Sequence, residues 1–172
     1  MDFNLVPEYR LSKFEDATVE FLLSIGIKGI ILDIDNTLEP YEHANPGDNV
    51  FNWLELLSDA GIKTAIVSNN NRRRVTLFNK DIGMPAYANA AKPFKRNIVK
   101  AMRDMGTDTT NTIMMGDQIY TDVWGAHNAG IPAILVAPIN DKNNLFTKIK
   151  RFLEKPVLER YERENDDVTR VK

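Results

Sequence analysis

The sequence predicts an α/β protein built on a doubly wound, open parallel sheet with helices on both faces. Three observations carry this expectation. Apolar, β-branched runs alternate along the whole chain with apolar residues at helical spacing, a pattern that demands a parallel sheet covered on both sides. The runs "IKGIILDI", "IKTAIV" and "NTIMMGD" are apolar nearly throughout, as strands buried on both faces are. Their ends are polar: Asp33 and Asp35 after the first, Ser68 and Asn69 after the second, Gly116 and Asp117 after a later one.

Taken in order, Phe14, Ala17, Phe21, Leu22 and Ile25 recur at helical spacing, with Gly26 as the stop. Ile27 to Ile34 reads as a buried strand. Pro40, Pro46 and Gly47 break the chain, and Phe51, Leu54, Leu57 and Ser58 predict a helix ending at Gly61. Ile62 to Val67 is the next strand, and Val75 and Phe78 lie in a third helix. A short strand is expected near Pro85 to Ala88. Ile98, Met102 and Met105 place a helix after Pro93, closed by Gly106. "NTIMMGDQ" is a strand, "YTDVWGAHNAG" a helix ending at Gly130, and "IPAILVA" a last strand. Leu145, Phe146, Ile149, Phe152 and Leu153 form a final amphipathic stripe. From residue 157 to 172 the chain is mostly charged and reads as a loosely held tail.

With 172 residues, one domain over 1–172 is the natural expectation. Hydrophobic residues make up 43%, enough for a core, and the net charge of −2 gives no sign of a nucleic-acid partner. There is no cysteine, which excludes disulfides and thiolate catalysis and fits a reducing, cytoplasmic setting. "MDFNLVPEYR" lacks the basic start and apolar run of a signal peptide, and no apolar stretch is long enough to span a membrane.

The strand ends are where function is expected. In an open α/β sheet, ligands bind beyond the carboxyl ends of the strands, at a topological switch point, so these polar residues would meet in one crevice. Carboxylates resist burial unless something compensates. Asp33, Asp35 and Asp117 together could hold a hard cation such as Mg2+, which takes oxygen ligands and keeps several waters. An aspartate can also attack phosphorus to form an aspartyl-phosphate, and a second carboxylate two residues on can act as general acid and then base. Lys92 could neutralise the transferring phosphoryl group, with Ser68 and Asn69 donating to its oxygens.

"DIDNT", "SNN", Lys92 with its following proline and "GDQIYTD" resemble, in order, the four motifs of the haloacid dehalogenase (HAD) superfamily. The resemblance covers about residues 27–137 and implies a HAD-like, Rossmannoid sheet. "GIKGIILDIDNTL" and "VSNNN" further resemble the YqeG-like group of subfamily IIIA, related to phosphatidylglycerophosphate phosphatases. The resemblance implies Asp33 as nucleophile, Asp35 as acid and base, and Ser68 and Lys92 as phosphoryl-binding groups, with Thr37 a supporting member of the first motif. It implies Asp117 as a magnesium ligand, joined by Asp33 and the Asp35 carbonyl, and Asp122 as a residue that orients others. Here Gln118, not Asp, follows Asp117, so the part taken by Asp122 stays open. The segments 38–66 and 69–91 are too short for the cap domain that small-metabolite members carry. An open site suits a phosphoprotein, a nucleic-acid end or a lipid headgroup.

Other readings stand beside these. Ser68 and Asn69 could cap a helix, and Asp122 could favour a helix start. The run Arg72 to Arg74 is either a solvated helix face or an anion-attracting rim. The stripe from Leu145 to Leu153, interleaved with Lys148, Lys150 and Arg151, is either a core helix or a surface resting peripherally on an anionic phospholipid membrane. A phosphorylated substrate is expected in each enzymatic case. The alternatives to a lipid phosphatase are a phosphatase of a phosphoprotein or soluble metabolite, and a non-catalytic metal-binding module.

Overall fold

The computed structural model describes residues 4–140 and 145–169, with side chains placed over 4–140 and 152–165. Six strands form one fully parallel sheet: β1 (Tyr9–Leu11), β2 (Gly29–Leu32), β3 (Lys63–Val67), β4 (Ala86–Tyr87), β5 (Thr112–Gly116) and β6 (Ala133–Val136). Their order is β1-β6-β5-β2-β3-β4. The helices are α1 (Val19–Ser24), α2 (Asp48–Asp59), α3 (Arg72–Asn79), α4 (Arg96–Met105), α5 (Trp124–Ala129) and α6 (Leu145–Thr169). The chain winds outward from β2 through β3 to β4, then returns to lay β5 on the other side of β2. The switch point therefore lies between β2 and β5.

Side-chain alternation divides the core into two layers. Ile30 and Leu32 of β2 face one side with Leu22, Trp53, Leu57 and Phe78, so α1, α2 and α3 cover that face. Ile31, between them, faces the other side with Ile98, Met102, Met114 and Ala126, under α4 and α5. Each of these large side chains contributes roughly 1.5–3 kcal/mol on leaving water. The helix stops are local: Gly106 ends α4 at φ 70°, a left-handed conformation glycine adopts without a Cβ penalty.

Three elements differ from the sequence expectation. β1 is absent from it, because three residues with mixed polarity carry no period; pairing with β6 makes the strand. The helix expected from Phe14 to Ile25 is broken into a 3-10 turn (Phe14–Asp16) and α1, since Thr18 caps α1 by accepting from the Phe21 amide at 3.2 Å. The helix expected from Tyr120 begins as a π turn over Ile119–Val123 before α5.

Where the sequence reads a loose tail from residue 157, the backbone is helical as far as Thr169, running through Pro156. Val157 and Leu158 pack on the second core layer, and Lys155–Glu159 and Arg160–Glu164 pair one turn apart. Phe152 and Leu153, two members of the expected stripe, are exposed instead of buried in the core. The side chains of Leu145, Phe146 and Ile149 lie outside those described. Among the described residues, no helix is long and apolar enough to cross a membrane.

Candidate active site

The register of the sheet brings the polar strand ends level. Leu32 of β2 pairs with Met115 of β5 on one side and Ile66 of β3 on the other. Asp33, Asp117 and Ser68 follow these residues within two positions, so they open into one crevice. Asp33 is still tied to the sheet, its amide donating to the Met115 carbonyl at 3.0 Å. Beyond it the chain turns sharply: the amides of Thr37, Leu38 and Glu39 all donate to the Ile34 carbonyl, and Asn36 takes a left-handed φ of 61°.

An ionic cluster forms the floor. The Lys92 ammonium lies 2.9 Å from Asp33 Oδ1 and 2.7 Å from Asp122 Oδ1, and all three side chains are buried. Oxygens of Asp33, Asp117 and Asp122 lie within 4.8 Å of one another. Burial pushes the Asp33 carboxyl up, and the neighbouring Asp122 charge adds to it, against the pull of Lys92. Burial also works against the Lys92 ammonium, but Asp122 and Asp33 more than offset it and hold Lys92 above its ordinary range. Asp122 folds back to accept from the Gln118 amide at 3.0 Å. Only a glycine at Gly116 permits this, because a Cβ there would collide with the Asp122 side chain.

The residues singled out in the sequence do come together, with different partners. Both ends of the Asn69 amide are engaged by the Lys92 main chain: Oδ1 accepts from its N–H at 2.7 Å and Nδ2 donates to its carbonyl at 3.1 Å. Asn69 thus holds the Lys92 loop, where the sequence suggested a donor to substrate oxygens. Ser68 is buried, and its Oγ accepts from the Asn70 amide at 3.1 Å, leaving its hydroxyl proton to donate. Thr37 is buried beneath the motif with its Oγ1 unpaired. Asp122 belongs to the ionic cluster and not to a helix cap.

Asp35 faces away from this floor. Its Oδ1 accepts from Arg74 Nε at 2.9 Å and its Oδ2 from Asn70 Nδ2 at 2.8 Å. Arg74 and Asn70 went unnoticed as individual residues in the sequence. Arg74 was hidden in a run of three arginines, of which Arg72 and Arg73 are exposed and Arg74 alone is buried. Its spacing from Val75 and Phe78, the other buried residues of α3, was the available signal. Glu39, also missed, is buried and accepts from the Gly47 amide at 2.6 Å, closing the loop 40–46 beside the crevice.

The haloacid dehalogenase-like hydrolase family model matches residues 14–136. The chain belongs to this family. This hydrolase is 35% identical over 153 residues to the probable phosphatase YqeG of Bacillus subtilis strain 168, covering 89% of each chain. It is 31% identical over 96 residues to a phosphoglycolate phosphatase of Caulobacter vibrioides, covering 49% of this chain and 40% of that one. Its fold is shared with the cobalt-bound form of the deoxy-D-mannose-octulosonate 8-phosphate phosphatase YrbI of Haemophilus influenzae. That match has a TM-score of 0.51 and 17% identity over 80% of this chain and 91% of the other. It is shared also with a HAD phosphatase of Thermococcus onnurineus, at TM-score 0.54 and 16% identity over 69% and 88%. A member of this family with phosphatase relatives, the hydrolase is a phosphatase. Among the described residues there is no cap: only α2 lies between β2 and β3, and only α3 and β4 lie between β3 and Lys92.

The acidic floor fits a divalent cation. Oxygens of three buried aspartates converge within 4.8 Å, two of them sharing the Lys92 ammonium, an oxygen-rich setting that suits a hard, doubly charged ion. Asp122 is already engaged on both oxygens by Lys92 and Gln118, which leaves Asp33 and Asp117 as the carboxylates able to hold the ion.

Proposed function

We propose that the chain is a magnesium-dependent phosphomonoester hydrolase that works through an aspartyl-phosphate on Asp33. The observation that carries this reading is the buried set of Asp33, Lys92, Asp117 and Asp122 at the switch point of the sheet. Asp33 attacks phosphorus while the bond to the leaving-group oxygen breaks. The electron pair stays on that oxygen, which takes a proton from Asp35. Lys92 and Ser68 bind the phosphoryl oxygens, and Asn69 keeps Lys92 in place. Asp35, now a carboxylate, removes a proton from water; the resulting hydroxide attacks phosphorus, releasing phosphate and restoring Asp33. Mg2+, held by Asp33, Asp117 and the Asp35 carbonyl, would supply the charge that steadies the phosphoryl oxygens.

We assign the hydrolase to the YqeG-like group of subfamily IIIA, with phosphatidylglycerophosphate as substrate. The identity with YqeG over 89% of both chains supports the group, and the open crevice supports a bulky, membrane-held leaving group. Exposed Arg72 and Arg73 beside the crevice would add weak, salt-sensitive attraction to an anionic surface, about 1 kcal/mol each. The test is hydrolysis of phosphatidylglycerophosphate in anionic vesicles against a short soluble analogue, together with vesicle sedimentation at low and high salt. Faster turnover of the vesicle lipid with salt-reversible binding supports the reading. The reverse ranking without vesicle binding overturns the lipid and promotes a soluble metabolite or a phosphoprotein. No magnesium-dependent hydrolysis of any phosphomonoester would leave a metal-binding module without turnover.

A further inference from the structure

We propose that Arg74 is a positioning residue for Asp35, fixing the acid–base carboxylate toward the leaving group and away from the ionic floor. The proposal rests on the reading of Asp35 as acid and base. Both Asp35 oxygens are held from one side, by Arg74 Nε at 2.9 Å and Asn70 Nδ2 at 2.8 Å, donors four residues apart at the start of α3. The guanidinium is itself anchored. Its Nη1 donates to the Ala44 carbonyl at 2.8 Å, and it lies 5.6 Å over the Phe78 ring. The main-chain amide of Arg74 is capped by Asn71 Oδ1 at 3.0 Å.

Packing alone does not call for an arginine here. Arg74 is only 9% exposed, and its Nη2 is buried without a hydrogen-bond partner. An apolar side chain would fill that space without a desolvation penalty or an unmet donor. What the guanidinium adds is one rigid plane that holds an Asp35 oxygen through Nε while its Nη1 is fixed on the Ala44 carbonyl. That hold matters because of the floor beneath. Asp33 and Asp122 already share the Lys92 ammonium, and an Asp117 oxygen lies within 4.8 Å of theirs. A free carboxylate two residues beyond Asp33 would compete for Lys92 or add to the repulsion. Arg74 gives Asp35 its own countercharge and couples it to the loop 40–46 through the Ala44 carbonyl.

The experiment compares two leaving groups. p-Nitrophenolate departs with little help from an acid, whereas the alkoxide of glycerol phosphate needs its proton. Asp35→Asn should abolish aspartyl-phosphate formation from glycerol phosphate while sparing more of the first-turnover release of p-nitrophenolate, since only the first step depends on the leaving group. In kcat/KM, which reports aspartyl-phosphate formation and not its later hydrolysis common to both esters, Arg74→Met should lose on the order of 10²-fold with glycerol phosphate and only a few-fold with the aryl ester. Asn70→Ala should show the same selectivity with a smaller loss, and Arg74→Lys should not restore the wild-type ratio, since an ammonium lacks the rigid plane that holds Asp35 and the Ala44 carbonyl at once. Added methylguanidinium should partly restore the ratio in Arg74→Ala. Equal losses of kcat/KM on both esters, or none, in folded Arg74→Met overturn the proposal. If that variant does not fold, Asn70→Ala decides in the same way. Unchanged glycerol phosphate turnover in Asp35→Asn overturns the acid–base reading and the proposal with it. A selective loss in Asp35→Asn but not in the Arg74 and Asn70 variants overturns the positioning role alone.

Discussion

Asp33 and Asp35 are two residues apart and have opposite surroundings. Asp33 shares one ammonium with Asp122, and Asp117 stands close by, so its neighbourhood is short of positive charge. Asp35 has a guanidinium of its own and a second donor on its other oxygen. Only Ile34 separates them, yet the chain leaves the sheet there and the two carboxylates meet different partners, Lys92 and Arg74. The difference teaches how one short motif serves two kinds of chemistry. Asp33 stands among other buried carboxylates, where a cation would be drawn, while Asp35 is held still by two donors outside that cluster.

Removing the charge of Asp33 should break this arrangement most severely. Asp33→Asn keeps the shape, so circular dichroism should show the native fold. Turnover of a phosphomonoester should fall by several powers of ten, as loss of a covalent nucleophile generally does. A rate near wild type would show that the charge deficit around Asp33 is not where bond-making occurs.

The charge deficit itself can be read without turnover. Mg2+ should raise the thermal midpoint of the wild-type protein, by the equivalent of about 2.7 kcal/mol when the ion is at 100 times its dissociation constant. Chelator should reverse the shift. Asp117→Asn should lose most of it, since one of the two proposed metal carboxylates is then neutral, whereas Asp35→Asn, which keeps its carbonyl, should retain it. An equal shift in both variants would erase the distinction between the two surroundings.

The smallest expected effect comes from a carboxylate paired far from the crevice. Glu8 accepts from the Ala133 amide at 2.7 Å and faces His127 Nε2 at 3.2 Å, joining the N-terminal segment to α5 and β6. Burial works against the imidazolium, yet Glu8 and the Asn4 carbonyl raise His127 above its ordinary 6.5. Burial likewise opposes the Glu8 carboxylate, which His127 and the Ala133 amide nonetheless hold below 4.5. The raised His127 stabilises below its unfolded pKa and loses that contribution as pH rises through its folded one. Glu8 stabilises above its unfolded pKa and loses its share as pH falls through its folded one. The pair should therefore contribute most between about pH 4.5 and 6.5. Denaturant melts of wild type and His127→Gln should differ by about 1 kcal/mol at most in that window, with the gap closing at higher pH. A gap that widens above neutral pH would contradict the pairing.

Much of this molecule was legible in its residues one segment at a time. β2, β3, β5 and β6 are apolar runs that only a doubly covered sheet can bury, and the stops at Gly106 and Gly130 are backbone chemistry. The polar strand ends draw attention to Asp33, Asp35, Ser68 and Asp117, and the resemblance to family motifs to Lys92 before its helix, and the fold brings Asp33, Lys92 and Asp117 into one crevice. The runs, stops and polar ends depend on local composition and period, so the sequence by itself determined them. β1 exists only because β6 offers it an edge, and the segment after Pro156 is helical where a charged tail was expected. Asn69 turned from a substrate donor into a clasp on Lys92, and Asp122 into a partner of the same lysine. Arg74 was separated from two solvated arginines and set against Asp35. The tertiary structure decided these points, because a side chain's partner across 30 or 39 residues follows from how strands and helices are brought level. Residue type and spacing along the chain do not encode that distance.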